Sequence, residues 1–400
     1  MCHESDYIRS MKLKLSVFLL TTLLLLLREY SLSANCDSTS KGYTPFIDLG
    51  TGTYQGFEGG LYPGGSNFRP SAHNSVGLNL GWSIRPLNNS GQPDSLGKIV
   101  LISIGMSNCS QEFSTFIPLA NADTSKNPDL LIINGAQGGQ TAAIIQESTA
   151  FFWDTVDARL SHAGVTPLQV QIAWLKEANA NPTAPFPTHA ETLQAQLAQI
   201  TRVAKNRYPN LKIIYLASRT YAGYASTTLN PEPYAYESGF SVKWLIEEQI
   251  NGEPRLNYDS AQGQVFSPWL SWGPYLWADG INPRSDSLIW LCSNFSASDG
   301  THPSATGRIK VANLLLDFFK SESTSLPWFK KDIYILGDAN RDRLITLSDV
   351  IFLVNYIFKG GLYPYPFQAG DPNCSDSITL ADVIYLVNYL LKSGPAPCSP

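Results

Sequence analysis

The stretch KIVLISIGMSN, residues 98–108, is an apolar, β-branched run that ends on a glycine and is followed two positions later by a serine. Short continuous apolar runs of this kind are strands buried on both faces, as parallel sheets require. Three more follow: PDLLIIN (128–134), LQVQIAWL (168–175) and NLKIIYLAS (210–218). Helical stretches at 142–160 and 187–206 separate them, and a last helix is predicted at about 304–320. The alternation predicts βαβ units and a mostly parallel sheet covered on both faces. In such a sheet the site lies beyond the carboxyl ends of the strands. The residues that follow each strand are therefore the informative ones.

Gly105 permits a tight exit from the first strand, and Ser107 opens the next helix. From there its Oγ faces the cleft, and its N–H points toward any developing negative charge. The second strand ends in Asn134-Gly135-Ala136-Gln137-Gly138-Gly139-Gln140-Thr141, where glycine lets a backbone N–H approach a substrate closely. Just before the last helix stands Asp299-Gly300-Thr301-His302-Pro303. A serine alcohol needs a base within hydrogen-bond reach and a third group to orient that base, and an Asp and a His three residues apart supply both. His73, His162 and His189 read as packed or solvated residues.

The order of these blocks, G-x-S after strand one, glycines after strand two and D-x-x-H-P-S before the last helix, resembles the SGNH/GDSL hydrolase superfamily over nearly all of residues 42–325. The resemblance implies a flavodoxin-like parallel sheet and no cofactor. It matches Ser107 to the nucleophile, His302 to the general base and Asp299 to its orienting partner. Gly139 matches the oxyanion-hole glycine beside the Ser107 N–H. The third block departs: where the family has G-x-N-D, the strand runs into Lys176-Glu177-Ala178-Asn179-Ala180-Asn181. Asn179 or Asn181 is left to supply the missing amide, or Lys176 a cationic donor. Losing one oxyanion donor costs about 10²–10³ in rate, which predicts a slow, specialised or inactive domain. No phosphate-loop spacing occurs in the Gly-rich segment 51–76, so nucleotide binding is disfavoured; the segment reads as a loop over the cleft or as irregular surface. Trp269, Trp272, Trp277 and Trp290 read either as core or as a wall for stacking sugars.

Self-comparison reveals a duplication. LITLSDVIFLVNYIFKGG (344–361) recurs as SITLADVIYLVNYLLKSG (377–394), offset by 33 residues, the mark of a repeated supersecondary unit. An oxygen-rich loop precedes each copy. Asp338, Asn340, Asp342, Thr346 and Asp349 fall at loop positions 1, 3, 5, 9 and 12, with the Leu344 carbonyl at position 7. Asp371, Asn373, Ser375, Thr379 and Asp382, with the Ser377 carbonyl, repeat the set. Calcium takes about 6–8 oxygen ligands, and alternate residues of one turning loop can supply them. Apolar residues at i, i+3, i+4 and i+7 then predict one amphipathic helix after each loop. Two loop–helix units of this kind resemble a type I dockerin over 337–398, an all-α module. The resemblance implies Ca²⁺ at both loops and a cohesin-type partner. Position 6, usually glycine, is Arg343 in one loop and Asp376 in the other, and Ser375 replaces a carboxylate, so the second site is expected to be the weaker.

Lys12 and Lys14 precede an apolar run from Leu15 to Leu27, and small residues follow to Ala34. This is the order of a secretory signal peptide, expected over 1–34, and no later stretch offers the roughly 20 apolar residues of a membrane span. The full chain carries −5, and cleavage would bring it to about −6 because four cations and three carboxylates leave. That balance argues against nucleic acid as a partner. Five cysteines stay in the mature chain, and Cys374 and Cys398 are the expected bridge. A hydrophobic content of 44% suits a chain with a real core. The expected domains are 42–325 and 337–398, with 326–336 between them. The expected function is a secreted or surface-attached serine esterase acting on an O-acylated carbohydrate and held on a scaffold. The alternative is a non-catalytic carbohydrate-binding or surface-assembly protein.

Overall fold

The computed structural model describes residues 33–331 and 333–398; apart from Ser33 and Ala34, the export segment expected over 1–34 lies outside them. Five strands form the main sheet: β1 (Ile99–Gly105), β2 (Leu130–Ile133), β3 (Val170–Lys176), β4 (Ile213–Ala217) and β5 (Trp269–Trp272). Their spatial order is β2-β1-β3-β4-β5 and every pair is parallel. This is the flavodoxin-like order, and its topological reversal lies between β1 and β3. All residues of β1, β3, β4 and β5 are buried, which explains why they are spelled mostly with apolar residues.

Helices cover the sheet: α1 (Ser71–Ser83), α2 (Ser107–Ala122), α3 (Phe151–His162), α4 (Thr188–Arg207), α5 (Tyr234–Ile250) and α6 (Ala305–Ser321). Helix α2 lies against α6, and α4 against α5. The helix expected over 142–160 is two pieces, a turn at Ala142–Ile145 and α3. Trp269, Trp272, Trp277 and Trp290 are each 2% exposed or less. They are core, and the stacking wall is not formed by them. Cys36 is bridged to Cys292, Cys374 to Cys398, and Cys109 is free and buried.

The C-terminal repeat forms α7 (Leu347–Lys359) and α8 (Leu380–Lys392). Thr346 and Thr379 cap them in reciprocal boxes with Asp349 and Asp382, so each loop's last acidic residue also starts a helix. Leu353, Val383 and Leu386 pack between them as a small core. Leu347, Ile351 and Phe358 on α7, and their counterparts Leu380, Ile384 and Leu391 on α8, stay exposed. Positions 4 and 6 of both loops are left-handed: Arg341 (φ 65°), Arg343 (φ 74°), Cys374 (φ 54°) and Asp376 (φ 58°).

Position 4 does different work in the two copies. In the second loop, Cys374 is bridged to the chain's tail. In the first, Arg341 is 4% exposed and reaches into the α/β domain. Its guanidinium donates to Ile84 O at 3.1 Å and Pro327 O at 3.0 Å, and lies over the rings of Trp82 and Tyr365. Tyr365 accepts from Asn127 Nδ2 at 2.7 Å. The expected spacer 326–336 opens with a helical turn whose Trp328 and Phe329 are fully buried. The repeat is therefore fastened to the sheet domain.

Candidate active site

Ser107 begins α2 directly beyond the carboxyl end of β1, at the reversal point of the sheet. The exit must be glycine: a β-carbon on Gly105 would lie 2.2 Å from the Lys176 carbonyl and 2.7 Å from Cys109 Cβ. Ser107 Oγ is 3.0 Å from His302 Nε2, and His302 Nδ1 is 2.7 Å from Asp299 Oδ2. Three residues from the two ends of the domain therefore meet in one hydrogen-bonded line. The His302 and Asp299 side chains are 29% and 22% exposed, so the line is open to solvent.

The loop carrying His302 and Asp299 is tied down from several sides. Asp299 Oδ1 accepts the N–H groups of Thr301 at 2.8 Å and His302 at 2.9 Å. Its carbonyl accepts from Ser226 N at 2.9 Å. Asn108, next to the serine, donates from Nδ2 to Thr301 O at 3.0 Å, joining α2 to this loop. Burial pushes the Asp299 carboxyl up, but these backbone donors and the His302 ring outweigh it and hold it below its usual 3.8. A charged carboxylate on Nδ1 leaves Nε2 free to accept the serine proton.

Electrophilic donors come next. The Ser107 N–H belongs to the first turn of a 16-residue helix, where backbone donors lack intrahelical partners. The glycine beside the serine is Gly138, whose added β-carbon would lie 4.0 Å from Ser107 Cβ. Gly139 (φ +75°) turns the chain one residue further on and faces open space. Arg159, which the sequence reading passed over, holds this turn by donating to Asn134 O at 2.8 Å and Ala136 O at 2.9 Å. Asn179 Nδ2 donates to Gln196 Oε1 at 2.5 Å, and its oxygen accepts from Ala143 N. Asn181 accepts from Thr228 Oγ1. The Asn179 amide nitrogen is thus engaged with a neighbour, while at Asn181 the bond engages the oxygen. Lys176 is excluded as a cleft donor: it is 2% exposed, and its Nζ lies 2.7 Å from both Glu112 carboxylate oxygens.

The first C-terminal loop gathers oxygens. One carboxylate oxygen each from Asp338, Asp342 and Asp349 lies within 4.8 Å of the others. Burial, with Asp349 and Asp342 close by, pushes the Asp338 carboxyl up to about 6 even though backbone N–H groups oppose the shift. Burial raises Asp349 and Asp382 as well. Asp382 Oδ1 is buried without a hydrogen-bond partner. Asp338 and Asp349 are buried and Asp342 is exposed, and crowded carboxylate oxygens are the kind of donor set that a hard cation neutralises.

No protein-family model matches this chain, and no curated protein does. Solved structures do resemble it at 12–13% identity. A Bacillus subtilis protein aligns over 57% of this chain with a TM-score of 0.33, and the chain spans 57% of that protein's length. A Bacteroides fragilis protein described as an acylhydrolase aligns over 62% of this chain and 96% of its own, with a TM-score of 0.32. The periplasmic domain of a lipopolysaccharide acetyltransferase from Salmonella ser. Paratyphi A aligns over 62% and 95%, with the same TM-score. At these values the functional reading rests on the chain's own side chains.

Proposed function

We propose that this chain is a secreted serine esterase that removes an acyl group, acetyl in the first instance, from a carbohydrate. The observation that carries the reading is the line Ser107 Oγ–His302 Nε2–Asp299, at 3.0 and 2.7 Å. Ser107 attacks the ester carbonyl while His302 takes its proton. The oxyanion that forms meets the Ser107 N–H and the glycine turn at 138–139. His302 then returns the proton to the leaving alcohol, and water releases the acid by the same relay. In the same reading the C-terminal repeat is a dockerin-like module. Asp338, Asn340, Asp342, Thr346 and Asp349 would hold one Ca²⁺, with Asp371, Asn373, Ser375, Thr379 and Asp382 holding a second. Bound Ca²⁺ would supply positive charge that draws each loop together. The paired exposed apolar residues of α7 and α8 suit a cohesin-type partner, and the matching positions would allow two related orientations.

A chromogenic short-chain acyl ester tests the catalytic claim. Wild type hydrolyses it and Ser107→Ala loses the activity by at least about 10³-fold; equal rates in both proteins would remove the esterase reading. One observation favours the non-catalytic alternative: the Asn179 amide is tied to Gln196. No activity toward any ester would select that alternative.

A further inference from the structure

Three residues of α3 grip the turn that follows β2. Phe152, Val156 and Arg159 stand at i, i+4 and i+7, on one face of the helix. The Phe152 carbonyl accepts from Gln137 Nε2 at 2.9 Å. Val156 packs so closely that a β-carbon on Gly135 would lie 3.2 Å from both of its methyl groups. Arg159 Nη1 donates to Asn134 O at 2.8 Å and to Ala136 O at 2.9 Å. One cation thus bridges the carbonyls of alternate residues.

The Ala136–Gln137 peptide carries this grip to the nucleophile. Its carbonyl accepts from Arg159, and its N–H donates to Gly105 O at 2.9 Å, at the strand exit two residues before Ser107. A donor–peptide–acceptor chain of this kind polarises along its length. Asn134 makes a second tie, since its Nδ2 donates to Ser110 O and Ser114 Oγ on α2, each at 2.8 Å. Beyond this pinned stretch, the Gly138 and Gly139 N–H groups donate to no backbone carbonyl among the described residues. Gly138 lies against Ser107, an added β-carbon there falling 4.0 Å from Ser107 Cβ. Around Gly139 (φ +75°) an added β-carbon would meet nothing within 4 Å. Glycine is the residue with the most backbone freedom, and nothing packs against the turn at Gly139. The aim of both donors therefore depends on what holds Asn134 to Gln137.

We infer that Arg159 is a positioning residue for the oxyanion, an inference that rests on the esterase reading and deepens it. By bridging Asn134 O and Ala136 O, it sets where the N–H groups of Gly138 and Gly139 meet the charge that develops on the ester oxygen. The Asn179 amide nitrogen is engaged with Gln196, so a larger share of that charge falls to the glycine turn. The test compares wild type, Arg159→Met, Arg159→Lys and Ser107→Ala. Each is assayed for kcat and KM on a chromogenic acetyl ester and for its melting temperature. Calorimetry then measures the affinity for methylboronic acid. Its trigonal boron takes the Ser107 oxygen as a fourth ligand while His302 takes the serine proton, and the resulting anion imitates the oxyanion intermediate without turnover.

Arg159→Met should lower kcat by about 10²-fold with KM unchanged, because a misplaced donor loses only what it gives the transition state. Its boronate affinity should fall at least about tenfold, and Ser107→Ala should bind no boronate. Arg159→Lys keeps a cationic donor and should recover part of both losses. A role in stability alone would lower the melt and leave kcat and boronate affinity as in wild type; that result, or a raised KM with kcat unchanged, would overturn the positioning role while the esterase stands. Wild type that neither hydrolyses the ester nor binds the boronate would overturn both. Boronate binding that weakens in Arg159→Met, with no ester hydrolysed by any variant, keeps the positioning role and removes the esterase.

Discussion

Replacing Asp299 by Asn isolates what the carboxylate does. In the wild type, Oδ1 accepts the Thr301 and His302 N–H groups and Oδ2 faces His302 Nδ1 at 2.7 Å. An asparagine keeps an oxygen for the backbone donors, so the loop retains its shape. Its amide nitrogen then faces Nδ1, and two donors cannot share that contact. The ring avoids the clash by moving its proton to Nε2, 3.0 Å from Ser107 Oγ, where it can no longer accept one. A wrong-tautomer lesion of this kind lowers kcat by about 10⁴-fold, or about 5 kcal/mol of barrier. The assay is steady-state hydrolysis of a chromogenic ester by wild type and Asp299→Asn, with thermal melts to show that the loop has held. A loss of less than tenfold with an unchanged melt would refute the orienting role of Asp299.

Three further outcomes follow from the geometry. Lys176→Met should destabilise by about 3–5 kcal/mol, because it leaves the fully buried Glu112 carboxylate unpaired; a Glu112→Gln/Lys176→Met double variant should recover most of that in chemical denaturation, and a single-variant loss under about 1 kcal/mol would speak against a tight pair. Calcium at a hundredfold excess over Kd should add about 2.7 kcal/mol for each filled loop, read as a higher Tm than in chelator and reduced in Asp338→Asn; identical melts would remove calcium from the account. Burial, against the Leu270 carbonyl bond, lowers His73 to about 4 from its usual 6.5. The folded protein therefore refuses a proton that the unfolded chain accepts below about 6.5. Stability should fall as pH drops from 6.5 toward 4, by up to about 3 kcal/mol, and His73→Gln should flatten that stretch of the pH–stability curve.

The strands most legible in the sequence are those buried on both faces, because a parallel sheet spells them as apolar runs. Strand β5 escaped because WLSW is short and half tryptophan, and its buried Ser271 is accommodated by Tyr62 OH at 2.9 Å and Arg69 Nη1 at 3.1 Å, which no local pattern announces. Helix α1 escaped for a packing reason. A β-carbon on Gly77 would lie 2.3 Å from the Trp269 ring, and one on Gly81 would lie 2.3 Å from Thr324 O. Close packing demands glycines that lower helix propensity. Helix α5 is buried on most of its surface, so no amphipathic period announces it. Ser107, His302 and Asp299 were legible because strand exits and a helix start mark such residues. The Glu112–Lys176 pair and the Arg159 brace were not, since each joins residues far apart in the chain and carries no motif.

The fastening of Arg341 bears on aim. A module hung on a slack tail can point anywhere, and whatever grips it learns nothing about where the rest of the molecule faces. Here a buried guanidinium wedged between Trp82 and Tyr365 leaves no such freedom. Anything that takes hold of the outward side of α7 and α8 thereby chooses the compass bearing of Ser107 and His302, and two grips related by the repeat would present them along two bearings only.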